Sequence, residues 1–388
     1  MEMKTINDME MYFEIVKDYR MRGRITYRLS EVLLVFVCGL LCGLRDYESI
    51  TDMAEIRWEF FKKYIKNDRP PCPATLCNIL RRINPEQLEL CLHGIFRNVF
   101  GIIPPKCEKQ ICIDGKTIRG TNSIHIVTGM LADEYLSIGQ KVVGEKTNEI
   151  PVVQELLDML DIKGAVVSMD AMHCQKDTLE KVIENGGDYV VQLKGNQGNF
   201  YKDVYAMFDD KYMDETDKDG EYEKFQTIEK GHGRIEKRTC YVLKDVEYFT
   251  DYMADWKGLK KIFAVKRTVE TKGKITEEIS CYLSSKNTTA EKLLSYTRKH
   301  WQIESFHWIL DVVMGEDNSS LRDKTAQDCM NRMSKFAVSV MKKYIECAKP
   351  KKKSISGNMR LCLLSNDYLE KVLDFFLHFF LLHFCYHD

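Results

Sequence analysis

The chain has almost no net charge: 57 Lys+Arg against 58 Asp+Glu leave a formal −1 over 388 residues. No overall field therefore points to a polyanionic partner. There are 14 cysteines, yet no C-x-x-C pair and no Cys/His spacing of the zinc type. That excludes a zinc ribbon and a disulfide-exchange motif. No signal peptide opens the sequence, so the cysteines read as free thiols in a reducing, cytoplasmic setting. Long hydrophobic runs are missing too. VLLVFVCGLLCGL (32–44) and FFLHFFLLHF (375–384) both fall short of the ~20 residues a membrane span needs. The first reads as a core helix; the second packs on a partner chain or within the fold.

What is there describes an ordinary globular protein, 44% apolar and 30% charged, long enough for two or three domains with a buried core. The charge is unevenly spread. Residues 292–360 hold 14 Lys/Arg against 7 Asp/Glu, a basic stretch that faces either a polyanion or plain solvent.

Residues 1–105 read as helical. SEVLLVFVCGLLCGL (30–44) is an apolar helix capped by Ser30, and PPCPATLCNILRRINPEQL (70–88) reads as helix, turn, helix with starts marked by Pro73 and Asn84-Pro85. From 106 to 220 the periodicity changes. Strands are expected at 110–114, 124–130, 135–142, 164–169 and 188–193, with helices at 150–160, 175–185 and from 197, which is a mixed α/β pattern. Residues 221–289 are a β-rich block. Helices return over 290–347, and 348–388 is a lysine-bearing loop followed by a last helix from Asn366.

One stretch raises the question of chemistry. QICIDGKTIRG (110–120) runs an apolar strand into Asp114 and then reads as a turn through Gly115. A Walker A loop would need a glycine where Gln110 stands, so the phosphate nest is missing and GKT is not a nucleotide loop. VVSMDAMHCQ (166–175) likewise delivers Asp170 at the end of an apolar strand. Two carboxylates on neighbouring strand ends suit a hard divalent cation; each alone also suits a turn or a helix cap. In HWQIESFHW, Glu304 lies on an amphipathic helix, where either a metal or Arg298 must compensate it. Trp301 and Trp308, seven residues apart, read as core rather than as base-stacking residues. His232 in GHGR reads as a turn residue rather than a ligand.

Taken in order, IDGKTIRG, VVGEKTNEIPVVQELLDML, MDAMHCQ, GGDYVVQLKGNQ, HGRIEKR and RKHWQIESFHWILDVVMGED resemble the DDE transposases of the ISAs-type, H-repeat-associated group. The resemblance runs from about residue 10 to about residue 375. It implies a ribonuclease H-like α/β core interrupted by the β-rich insertion, with helical N- and C-terminal regions. Asp114, Asp170 and Glu304 would be the catalytic triad and metal ligands for two Mg²⁺, with Mn²⁺ as substitute. The implied substrate is double-stranded DNA, both transposon ends and target, cut and joined by a homodimer on DNA. Lys116, Arg119, Lys194, Asn196, Gln197, Arg298 and His300 are candidate DNA contacts. Arg20, Arg22, Arg24, Arg28 and the 73–90 segment are candidates for recognising inverted-repeat ends. The broader superfamily surrounds its Glu with a Tyr-x2-Arg-x3-Glu-x6-Lys signature; here those positions are Thr297, His300 and Asp311, and only Glu304 matches. Three readings stay open: an active transposase, a DNA-binding relative without chemistry, and a metal-dependent nuclease with another task.

Overall fold

Nine strands pair into one sheet in the order β3-β2-β1-β4-β5-β9-β8-β7-β6. The computed structural model describes residues 12–100, 109–145, 147–209, 220–231, 233–351 and 354–383. Strands β1 (Gln110–Ile118), β2 (Ile124–Leu131) and β3 (Leu136–Val143) form an antiparallel meander. Strands β4 (Val166–Met169) and β5 (Asp188–Leu193) follow in parallel on the other side of β1. Their near-continuous apolar sequences, VVSM and DYVVQL, fit parallel strands covered on both faces. This is the mixed α/β, ribonuclease H-like arrangement that the resemblance implies.

The β-rich block does not stack as a second layer. Its strands β6 (Tyr222–Gly231), β7 (Arg234–Leu243), β8 (Lys261–Thr271) and β9 (Lys274–Ser284) continue the same sheet, because β9 pairs antiparallel with β5 from Val190↔Ser284 to Leu193↔Cys281. Their outer ends are exposed and charged, and their inner ends are buried.

Helices α1 (Leu29–Leu41), α2 (Tyr47–Ile56), α3 (Pro73–Leu80) and α4 (Pro85–Phe100) form the N-terminal region. Pro73 and Pro85 sit at first helical positions, where a missing N–H costs nothing, and Asn84 Oδ1 accepts the Gln87 N–H at 2.8 Å. Ser30 is not the cap of α1. The helix starts at Leu29 with Arg28 at the cap, and the Arg28 N–H donates to Glu31 Oε2 at 2.8 Å.

On the sheet lie α5 (Glu149–Met159), α6 (Lys176–Glu184) and α7 (Gly198–Met207). The long helix α8 (Ala290–Trp308) crosses β1, β4 and the insertion strands, and α9 (Lys324–Ala348) runs between the sheet and α1 and α4. The lysine-bearing stretch is less of a loop than expected. Ile355–Leu364 is a helix, α10, started by Ser354 Oγ accepting the Gly357 N–H at 3.1 Å, and α11 (Asn366–His383) follows. Among the described residues no helix is long and apolar enough to cross a membrane. His232, the 105/106 boundary and the end of the apolar tail lie outside the described residues.

The basic stretch is not a single solvated face. Arg332 and Lys335 on α9 are buried. Arg332 pairs with Asp328 at 2.9 Å and with Glu89 of α4. Lys335 Nζ donates to Thr128 Oγ1 at 2.6 Å and Gln140 Oε1 at 2.7 Å.

Candidate active site

The β1–β4 ladder ends at Ile113↔Met169. The next residue in each segment is an acid, Asp114 within β1 and Asp170 just past β4 with its backbone still extended, so the two stand side by side at roughly the ~5 Å spacing of adjacent strands. Asp114 is not at a strand tip followed by a turn. β1 runs on to Ile118 against β2, with Asp114 opposite Thr128. Gly115 lies in mid-strand for another reason: a Cβ there would run into the Glu149 carboxylate, with Oε1 at 2.6 Å. Glu149 opens α5 and accepts from His125 Nε2 and from His173 Nε2, the latter at 3.2 Å.

Asp170 caps the short turn Ala171–His173, accepting the Met172 N–H at 3.0 Å. That turn is braced from the loop after β5. Asn196 Nδ2 donates to the Ala171 carbonyl at 2.8 Å, and Gln197 Nε2 to the Cys174 carbonyl at 2.5 Å. Their amides are committed to holding the turn that carries Asp170.

The third acid faces these two from α8. Leu293, Leu294, Ile303, Phe306 and His307 are buried on one side of the helix. Trp301, Glu304 and Trp308 share the other, at the i, i+3, i+7 spacing of one helix face. Both tryptophans are exposed, at 60% and 58%, and so are not core. The sevenfold spacing placed them together correctly, but on the open side of α8, where Trp301 lines the cavity with Glu304. A polar thread ties the helix to the strands: Gln110 Nε2 donates to Ser168 Oγ and to the Tyr296 carbonyl, both at 2.8 Å, and Ser168 Oγ lies 3.1 Å from His300 Nδ1. One turn beyond Glu304, His307 Nδ1 lies 3.4 Å from Asp114 Oδ2.

The electrostatics follow from these placements. Burial opposes ionisation of Asp114, but the His307 hydrogen bond, the His307 charge and His300 outweigh it and hold the carboxyl below the usual range. Burial lowers both imidazoles, against the pull of the acids. Glu304 is shifted up, first by desolvation and then by the charges of Asp114 and Asp170. Mutual repulsion of this kind is what a divalent cation relieves, and three carboxylates are the hard oxygen donors that Mg²⁺ takes. The donor set fits such an ion by chemistry and charge. Among the described residues, though, no three His, Cys, Asp or Glu groups are gathered closely enough to hold one metal ion together.

Asp170, Glu304, Lys194, His300 and Arg298 line one cavity of about 530 Å³ between α8 and the sheet. Of the other candidate contacts, Arg119 is exposed and its backbone N–H donates to Asp317 at 3.0 Å. Lys116 is internal: 8% exposed, with Nζ 2.7 Å from both Asp311 and Glu316. A phosphate contact would have to break that arrangement. Asp311 stands where the broader signature has Lys, and it faces the lysine of β1 instead. Arg298 pairs with Glu229 of β6, not with Glu304.

The family described as Transposase DDE domain matches residues 105–340, and that described as DDE_Tnp_1-associated matches residues 11–95. The chain belongs to the DDE transposase family. It is 32% identical to the Escherichia coli K12 protein named "H repeat-associated putative transposase YhhI", over 96% of this chain and 98% of that protein. It is 31% identical to the E. coli O157:H7 protein named "Putative transposase YncI", over 95% of each. A solved structure, the piggyBac transposase synaptic complex with hairpin DNA, covers 92% of this chain and 76% of its own at 11% identity and TM-score 0.45, too slight a likeness to bear on chemistry.

For a DDE transposase, sequence reasoning missed two groups. His307 was legible as one helical turn from Glu304, but its contact with Asp114 depends on how α8 crosses β1. Arg234, Arg238 and Arg267 also line the cavity. The alternation R-x-E-x-R in HGRIEKR places Arg234, Glu236 and Arg238 on one strand face, a signal that was available. In the N-terminal region, Arg20 pairs with Asp18, Arg81 Nε lies 3.3 Å from Asp323, and the Arg82 guanidinium sits 5.7 Å over the Tyr19 ring.

Proposed function

We propose that this DDE transposase binds the terminal inverted repeats of an insertion sequence and performs metal-dependent strand cleavage and strand transfer, with Asp114, Asp170 and Glu304 as its acids. The observation that carries the reading is the side-by-side placement of Asp114 and Asp170 beyond the last β1–β4 pair, with Glu304 close enough that their charges add to burial in raising it. These three would hold two Mg²⁺, or Mn²⁺ in substitution. When bound, such ions activate a water or a 3′-OH and stabilise the leaving oxygen of a phosphodiester.

The chain's own residues do the positioning. His307 anchors one oxygen of Asp114. Asn196 and Gln197 fix the turn that presents Asp170. Because α8 carries both Glu304 and His307, a small shift of this helix toward β1 would draw the third acid inward. Lys194 and Arg119 are exposed cations available to DNA phosphates, which exposed Lys and Arg neutralise with strong salt dependence. The helices α3 and α4 are the candidate reader of transposon ends, and bringing two ends together calls for a homodimer on DNA in the cytoplasm.

The test is an end-cutting and joining assay with Mg²⁺ or Mn²⁺. Asp114→Asn should lose activity by a factor on the order of 10⁴, the scale at which single catalytic groups act, while its circular dichroism and melting stay those of the wild type. Wild-type protein that binds ends and never cuts would make it a DNA-binding relative without chemistry. Cutting without joining or end preference would make it a nuclease with another task.

A further inference from the structure

The insertion strands carry a construction that the three acids do not account for. On β7, Arg234, Glu236 and Arg238 share a face because side chains alternate along a strand. In register, Arg238 lies directly opposite Arg267 of β8, and Arg267 lies opposite Glu278 of β9. Like charges directly opposite one another destabilise a sheet. The pair is tolerated because Glu236, 4% exposed, lies among all three arginines: Arg238 Nη2 at 2.7 Å, Arg267 Nε in closer contact, and Arg234 Nη2 at 3.6 Å. Glu278 stands 4.0 Å from Arg267, and Glu229 is shared between Arg238 and Arg298. One buried carboxylate thus organises three guanidiniums, with Glu278 and Glu229 on its flanks. Arg234 and Arg267 keep half and two-fifths of their side chains exposed. Both line the same cavity as Asp170 and Glu304.

An acid cluster repels DNA unless positive charge stands close by. The helix that carries Glu304 and the turn after it supply little of it, since Thr297, His300 and Asp311 occupy the positions of the superfamily's Tyr, Arg and Lys, and Arg298 is engaged by Glu229. We propose that the arginine face of β7 and β8 takes over this task and seats the phosphodiester backbone of the DNA strand presented to the acids. Arg234 and Arg267 contact its oxygens, while Glu236 holds their guanidiniums apart and in place. A plain structural role does not explain Arg234: a half-exposed pair at 3.6 Å contributes little to stability. The inference rests on the transposase reading for the nature of its ligand.

The test is fluorescence anisotropy of a labelled short DNA duplex of arbitrary sequence with the full chain, in EDTA, over a series of salt concentrations. Each lost phosphate contact reduces the slope of log affinity against log salt by about 0.9. Arg234→Gln/Arg267→Gln should therefore lower the slope by about 1.8 on the same basis, Arg267→Lys should keep it, and Lys257→Ala, an exposed pair with Glu180 on α6, should not change it. If the double variant does not fold, Arg234→Gln alone decides, with an expected drop of about 0.9. An unchanged slope in folded variants, or an equal drop in Lys257→Ala, overturns the proposal. End-cutting by wild type with unchanged slopes would sink this inference and leave the transposase reading standing. Arginine-dependent binding without any cutting would do the reverse.

Discussion

The first five strands and the last four handle charge in opposite ways. Beneath β1–β3 the charged groups are sealed inside and matched. Lys116 meets Asp311 and Glu316, Asn331 Nδ2 donates to Glu316 Oε1 at 2.8 Å, and Arg332 joins Asp328 to Glu89. Gln140 Nε2 completes the network by donating to Asp328 Oδ1 at 2.6 Å. On β6–β9 comparable charges lie along a partly exposed face beside a cavity. A sealed network fixes geometry, since each member stranded alone would be costly. An open one leaves charge available to a ligand. The difference leaves Arg234 and Arg267 partly exposed where Arg332 and Lys116 are sealed.

The comparison breaks first, and furthest, at Arg332. Arg332→Ala would leave Asp328 and Glu89 buried without their counter-charge, at a cost of about 3–5 kcal/mol. Arg234→Gln on the open face should stay within about 0.5 kcal/mol. Denaturant melts of the two variants read the contrast directly, and equal losses would refute it. Gly115→Ala comes next. Its methyl would press on the Glu149 carboxylate, costing about 1–3 kcal/mol as overpacking. Pairing it with Glu149→Ala should recover part of that loss, so a double-mutant cycle without coupling would contradict the close approach.

The last effect is read as a slope with pH. Burial, working against the nearby Glu316 and Glu89 charges, brings the Lys335 ammonium down to about 7, whereas in the unfolded chain it titrates near ~10.4. Between those values the unfolded state holds more protons, so this group makes stability rise with pH from about 7 to about 10 and leaves it flat below. Lys335→Met removes that contribution. Stability measured at two pH values inside the window should differ less in the variant than in the wild type.

Strand and helix placement was largely legible, because β1 to β5 and α5 to α9 follow hydrophobic periodicity that one strand or helix sets for itself. The misses have local causes. Ser30 lost the cap of α1 to Glu31 because a capping acid three residues on is as good a partner. IDGK looked like a turn because glycine punctuates turns more often than it makes room for a carboxylate. Trp301 and Trp308 were grouped on one helix face but assigned to the wrong side, since periodicity defines a face without saying what covers it.

By itself the sequence determined the family, the order of elements and the types of acid at strand end and helix, all of which depend on residues near one another in the chain. Tertiary structure alone decided that Asp114 and Asp170 are neighbours and that His307 reaches Asp114. It also decided that Lys116 is sealed from solvent and that three arginines share one buried glutamate. Those facts depend on which strands pair and in what register. Shifting a strand by one residue reverses every side chain on it, and nothing local in the sequence records that choice.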